Sequence, residues 1–264
     1  MSASVNVPSE INVGIAPTAD QAGARAGQVA AEVLREALAK RGRARVIFAS
    51  APSQEATIAT LGASEGIDWS KVTSMHLDDY LGLDPHHPAA FGQWLADRLP
   101  EQAQPGLDRI RTDGEAAAEI ERYTQALEAG PIDLVCLGIG VNGHLAFNEP
   151  GDTDFDDPAL VREIALAHAS RQQQVDEGLF ATLDEVPTHA LTLTVPAIMH
   201  GGVIVGTVLG EPKAASVAAA LTGPITPALP ASALRTHASA HLFLDEDAAG
   251  SLPADFPAQR VGTN

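Results

Sequence analysis

The chain has 264 residues, with 16 Lys and Arg against 34 Asp and Glu for a formal net charge of −18; it lacks the basic footprint that nucleic acid or an anionic membrane surface demands. The length suits one α/β domain with a sizeable core, and no Pro/Gly/Ser-rich linker or charge block divides residues 1–264. The one cysteine, Cys136, cannot form an internal disulfide, and the N-terminus Met-Ser-Ala-Ser-Val-Asn-Val-Pro has neither a basic start nor an apolar signal core, so a cytoplasmic location is expected.

In chain order, short apolar runs predict strands at Ile11 to Ile15, Val46 to Ala49, Val72 to Leu77, Ile132 to Leu137, Leu191 to Val195, Val203 to Leu209 and His241 to Leu244. Helical patterns lie between them. Thr18-Ala19-Asp20-Gln21 fits a capping box, after which Val29, Val33, Leu34, Ala37 and Leu38 share one helical face until Gly42. Glu115 to Leu127 reads as another helix, with Gly130 just past its end. This alternation predicts an α/β fold in which helices cover both faces of a mostly parallel sheet. Ligands then bind beyond the carboxyl ends of the strands.

Four strand ends carry candidate residues. After Phe48, Ser50 and Ser53 stand at the entry of a helix containing Ile58 and Leu61, where they suit either helix capping or donation to a phosphate. After Leu77 come Asp78 and Asp79. Neighbouring carboxylates on a strand diverge, so Asp78 is expected to face the cleft as a general base while Asp79 turns to backbone or solvent; a solvated acidic turn is the plain alternative. After Leu137 the chain reads Gly-Ile-Gly-Val-Asn-Gly-His-Leu-Ala-Phe-Asn-Glu-Pro, residues 138 to 150.

Gly138, Gly140 and Gly143 match the spacing of a dinucleotide-binding loop, but Pro150 argues against the long helix such a loop should open, and no acidic residue ends a following strand. A simple glycine turn with a satisfied histidine competes with a catalytic pairing of His144 and Glu149. After Leu209, Pro212 fits a first helical position and Lys213 follows it, either as an anion-binding cation or as a surface lysine offset by Glu211. Asp84, His86 and His87 form too small a group to imply a metal.

These stretches together resemble the glucosamine-6-phosphate deaminase family, the glucosamine/galactosamine-6-phosphate isomerases. The similarity is carried by Leu77 to Leu83 with His87-Pro88, by Gly138 to Pro150, by Leu191 to Val195, by Val208 to Ala214, and by Pro230 to Leu234 with His237. The resemblance implies a modified Rossmann-like three-layer α/β/α sandwich, no cofactor, and a small-molecule sugar phosphate as partner. Homo-oligomers occur among such proteins. Carried over by residue, it implies Asp78 as the base between sugar carbons C1 and C2, His144 as the ring-opening acid/base, Glu149 as its carboxylate partner, and Asn142 where an Asp is common. Ser50, Ser53, Gly140, Gly143, Arg171 and Lys213 are the candidate substrate contacts, Arg171 or Lys213 as a substitute for the family's phosphate-binding arginine. A 6-phosphogluconolactonase shares the implied fold and a related Gly-His loop but departs at Asn148-Glu149-Pro150 and at Asp78-Asp79-Tyr80. A non-catalytic sugar-phosphate sensor is the other alternative, although it would need no proton-transfer set. Two positions weaken the expected phosphate site: Pro52 removes an amide donor, and Asp176 stands where the family carries an arginine.

Overall fold

The computed structural model describes residues 11–166, 168–176 and 178–261, without the side chains of residues 169, 170, 173 and 176. The elements run β1 (Asn12–Ala16), α1 (Ala19–Arg41), β2 (Ala44–Phe48), α2 (Glu55–Gly62), β3 (Val72–His76), β4 (Asp78–Tyr80), α3 (Phe91–Ala96), α4 (Ala116–Glu128) and β5 (Leu134–Leu137). They continue through β6 (Val161–Ala165), α5 (His168–Asp176), β7 (His189–Leu193), α6 (Val195–Met199), β8 (Val203–Val208), α7 (Ala214–Thr222), β9 (Ala240–Asp245) and β10 (Gln259–Arg260).

Seven strands form one parallel sheet in the order β10-β1-β9-β8-β5-β2-β3. Alternate residues of its central strands divide between two cores. Val46, Phe48, Leu134 and Cys136 pack with Ala26, Leu34, Ile58 and Leu61 of α1 and α2, while Ile47, Val135 and Leu137 pack with Tyr123, Ile198 and Val217 of α4, α6 and α7. This is the expected three-layer sandwich. The order of strand addition reverses between β2 and β5: the path from β2 moves outward to β3, whereas the path from β5 moves the other way to β8 and β9. The connections after β2 and β5 therefore leave in opposite directions, opening a crevice at the switch point.

The run Leu191 to Val195 does not join this sheet. Leu191 to Leu193 belong to β7, which begins at His189, in a separate antiparallel sheet of order β4-β7-β6, while Thr194 caps α6 and Val195 opens it. Strands β4 and β6 were not legible as strands, because Asp-Asp-Tyr is too short and Val-Arg-Glu-Ile-Ala is too polar to stand out. The main chain crosses from one sheet to the other at Leu77, whose amide donates to Phe48 O (3.0 Å) in β2 while its carbonyl accepts Leu193 N (2.8 Å) in β7.

Helix α1 is capped as its sequence suggests at Thr18, whose hydroxyl accepts the Gln21 amide (3.3 Å), and Gly42 ends it in a left-handed conformation. The reciprocal arm of the capping box is not made, since Gln21 Oε1 is buried without a partner. The buried stripe also differs from expectation. Ala22, Gly23, Ala26, Gly27, Ala30, Ala31, Leu34 and Ala37 line it, and Val29, Val33 and Leu38 lie at its margin. Small residues face inward because α2 packs very close: a methyl group on Gly23 would stand 2.6 Å from Ala56 Cβ, and one on Gly27 2.6 Å from Thr57 O.

Candidate active site

The neighbouring strands β8, β5, β2 and β3 all run the same way, so their carboxyl ends deliver Lys213, the 138–150 loop, Ser50 with Ser53, and Asp78 to one edge of the sheet. Asp78 opens β4 opposite Thr192 and is 6% exposed. Burial pushes its carboxyl well above the usual range, and the neighbouring Asp79 charge pushes it further. Asp79 points elsewhere. Its Oδ1 accepts the amides of Tyr80 (2.8 Å) and Phe91 (3.0 Å), and its Oδ2 accepts that of Gly92 (2.9 Å), so it ties β4 to the start of α3. Burial raises its carboxyl too, against the opposing effect of His76 and these three amides.

The loop after β5 is a folded turn rather than a phosphate cradle. Gly140 N donates to His144 O (3.0 Å) and Gly143 N to Gly140 O (2.9 Å), so the amides of these two candidate substrate contacts are engaged within the turn. The glycines are needed for space and conformation. The His144 ring lies directly over Gly140, where a side chain would collide with it, and Gly143 has φ +85° against the Leu229 side chain. Ser216 of α7 donates to Gly140 O (3.0 Å), and Ala231 N donates to Gly143 O (2.9 Å). On the other side, Thr192 Oγ1 accepts Phe147 N (3.2 Å), and Asn148 Nδ2 donates to Leu145 O and Leu193 O, both at 2.8 Å. Among the described residues, Ala146 is the non-glycine one held at positive φ, +50°.

Within this frame Asn142, His144 and Glu149 form one group. Asn142 Oδ1 accepts the His144 backbone amide (3.2 Å), which obliges its Nδ2 to face Glu149 Oε2, 2.6 Å away. His144 Nδ1 lies 3.1 Å from Glu149 Oε1, yet outside hydrogen-bond alignment, so the buried Nδ1 has no aligned acceptor. Such contacts commonly tighten only when substrate is bound. Asn142 thus addresses the carboxylate and the backbone, not the imidazole ring. An amide is what allows this contact, since a carboxylate there would oppose Glu149.

The expected anion-binding groups are differently committed. Ser50 Oγ donates to Phe91 O (2.9 Å), and Ser53 Oγ accepts Gln54 Nε2 (3.1 Å). Pro52 occupies the first position of a short 3-10 turn leading into α2, so its lost amide belongs to that helix entrance. Arg171 does not point freely at the crevice: its Nε and one Nη donate to Val186 O (3.2 and 2.8 Å), and that Nη also donates to Leu183 O (2.6 Å). The side chain of Asp176 lies outside the described residues. Lys213 sits at the junction of a 3-10 turn with α7, below Gly210, whose amide donates to both oxygens of Asp245 at 3.0 Å.

A groove beside the loop is lined by Phe147, Glu149, Asp152, Arg162 and Glu163. Its arginine already donates to Asp152 O (2.6 Å) and three carboxylates surround it, which disfavours a phosphate. The His86 and His87 rings serve different partners, Gln93 and the Ala89 amide, and among the described residues no cluster of His, Cys, Asp or Glu could hold a metal ion. Nor is any described helix long and apolar enough to cross a membrane.

Adjacent strand ends that gather a desolvated carboxylate, a histidine–carboxylate pair and a lysine define an α/β enzyme of the proton-transfer kind. The family model described as glucosamine-6-phosphate isomerases/6-phosphogluconolactonase matches residues 17–243, and the chain belongs to that family. A glucosamine-6-phosphate deaminase of Streptococcus equi subsp. equi is 34% identical over 229 residues, covering 86% of this chain and 94% of that protein. A solved structure of a monomeric glucosamine-6-phosphate deaminase superposes with a TM-score of 0.83 at 28% identity, covering 91% of this chain and all of the other. The 6-phosphogluconolactonase of Trypanosoma brucei shares the fold, with a TM-score of 0.74 at 17% identity over 92% of this chain and 99% of its own.

Proposed function

We propose that the enzyme isomerises and deaminates a hexosamine 6-phosphate, converting glucosamine 6-phosphate and water to fructose 6-phosphate and ammonia. The observation that carries this reading is the placement of the desolvated Asp78 and the Asn142–His144–Glu149 group on strand ends either side of β2. His144 takes the proton of the anomeric hydroxyl and returns one to the ring oxygen, opening the pyranose to an aldehyde. Glu149 holds the ring and offsets its positive charge when protonated. Asp78 then removes the C2 proton; that electron pair forms C1=C2 as the carbonyl π pair moves to O1, which takes a proton to give an enolamine. Protonation at C1, with the nitrogen lone pair moving to C2, leaves an iminium there. Water adds there and ammonia departs. A raised carboxyl pKa makes Asp78 a stronger base than a solvated aspartate, which is what abstraction from carbon needs.

In this reading Lys213 carries the phosphate, helped by the amides at the α2 entrance. With Pro52 and Asp176 weakening that site, glucosamine 6-phosphate binds less tightly than it does to relatives with a full cradle, and another phosphorylated or acidic sugar becomes a candidate substrate. A reducing cytoplasm suits the buried Cys136 thiol, which burial pushes up to about 12. The test is ammonia release across a panel of hexosamine 6-phosphates, with hydrolysis of 6-phosphogluconolactone run in parallel. Release of ammonia without lactone hydrolysis supports the proposal, and the reverse pattern replaces it with a lactonase. Light scattering distinguishes a 27.4 kDa monomer from the homo-oligomer that the resemblance allows.

A further inference from the structure

We propose that His76 is a positioning residue for Asp78, its imidazole locking the peptide that carries the base through a hydrogen bond to the Asp78 carbonyl. The inference rests on the reading of Asp78 as the general base.

His76 is the last residue of β3, two before Asp78, and is 1% exposed. Its Nδ1 lies 2.8 Å from Asp78 O, and its Nε2 lies 2.9 Å from Ile110 N. A carbonyl only accepts and a backbone amide only donates, so the ring must be the neutral tautomer with its proton on Nδ1. Its own backbone is held as firmly. The Tyr123 hydroxyl accepts His76 N (2.9 Å) and donates to His76 O (2.8 Å). The segment at 108–112 runs along the outer edge of β3, with Asp108 N donating to Ser74 O (2.8 Å). Two residues further on, Tyr123 occupies the next strand carbonyl, and the His76 ring receives the Ile110 amide instead. The segment is itself clamped to α4 by Arg122, which bonds Asp108, Glu119 and the Arg109 carbonyl.

His76 therefore joins α4 and the 108–112 segment to the point where the chain crosses between sheets. Gly92 leaves room for this: a methyl group there would stand 3.2 Å from His76 Nε2. A structural histidine could satisfy Ile110 alone. The bond to Asp78 O is different, because that carbonyl belongs to the peptide following the reacting carboxylate and sets the backbone orientation from which it projects. A reacting group displaced by an ångström loses roughly a hundredfold in rate. The charged groups around the ring are Asp79, Arg109 and Asp108; burial outweighs them and lowers the His76 pKa, in keeping with a neutral ring.

The two ring nitrogens can be tested apart. His76→Asn keeps a donor near the Nδ1 position and loses the acceptor for Ile110, while His76→Gln keeps an acceptor near Nε2 and loses the donor to Asp78. Steady-state ammonia release and melting temperature are measured for both, beside Asp78→Asn. The expected result is a kcat roughly tenfold or more lower in His76→Gln than in His76→Asn, with KM little changed and comparable melting temperatures. Equal kcat values for the two variants, or losses that follow melting temperature alone, overturn the inference. If Asp78→Asn turns over normally, the base assignment itself fails, an outcome distinct from the failure of His76 alone.

Discussion

The crevice has two unlike sides. On the proton-transfer side, Asp78 pairs in a ladder with β7, and the loop that carries Asn142, His144 and Glu149 is held by hydrogen bonds to β7, α7 and the 230s segment. On the anion side, Ser50 and Arg171 donate to backbone carbonyls, Ser53 Oγ accepts from Gln54, and a proline stands where an amide would help. Enzymes that handle phosphorylated sugars need both sides, but at different precision. Proton transfer fails with small displacements, whereas a dianion can be held by long-range attraction from a few cations. The rigid side here is the one whose geometry is more demanding.

The sharpest way to break this contrast lies within the Asp78-Asp79 pair. Asp78→Asn should lower turnover by at least ~10². The same change should stabilise the fold at neutral pH. Because burial raises the carboxyl pKa in the folded state, the stability Asp78 contributes is present below the unfolded value of about 3.9 and is lost as pH rises through the folded value. The melting advantage of Asp78→Asn should therefore fade below about pH 4. Asp79→Asn should do the reverse, keeping much of the activity while costing about 1–3 kcal/mol by turning an NH2 group toward one of the N–H donors that the carboxylate now accepts. Equal loss of turnover in both variants, measured alongside thermal unfolding, would erase the distinction.

On the anion side, Lys213→Ala should raise KM for a phosphorylated substrate by about tenfold or more with a smaller change in kcat, since a charge-assisted contact contributes roughly 1.5–3 kcal/mol. An unchanged KM would remove the lysine from the site and favour an unphosphorylated ligand. Within the loop, Asn142→Asp should bring two carboxylates to the present 2.6 Å contact and raise their proton affinity. The pH profile of kcat/KM should shift to higher pH, with a severalfold loss near neutrality; an unmoved profile would detach Asn142 from the group. The smallest effect belongs to Ala146, whose φ of +50° costs about 1 kcal/mol in strain. Ala146→Gly should leave thermal stability unchanged or slightly higher, and a clear loss would show that the methyl group, not the conformation, matters there.

The parts legible in the sequence are those in which one contiguous stretch carries both structure and chemistry. The apolar runs marked most of the parallel strands, and Gly138 to Pro150 displayed its histidine and carboxylate within a single turn. What stayed hidden depends on partners far along the chain. The small sheet rests on pairing of Asp78 with Thr192 and of Thr192 with Arg162, which no local pattern announces. The inward face of α1 was misread because alanine and glycine bury well without looking hydrophobic. For Arg171, a candidate substrate contact, the sequence neighbourhood cannot reveal its hydrogen bonds to the carbonyls of Leu183 and Val186. His76 sits one residue before a recognisable motif, and its role depends on Ile110 and Tyr123, 34 and 47 positions away.

The most direct test follows the bond that Asp78 is assigned to break. Glucosamine 6-phosphate carrying deuterium at C2 is incubated with the wild-type enzyme and with folded Asp78→Asn, and loss of the label from C2 is followed by NMR, whether it passes to C1 or to solvent. The account predicts label loss in step with ammonia release for the wild type, and at least ~10² slower for the variant. Cleavage of the C2 bond at near-normal rate without the Asp78 carboxylate would contradict it.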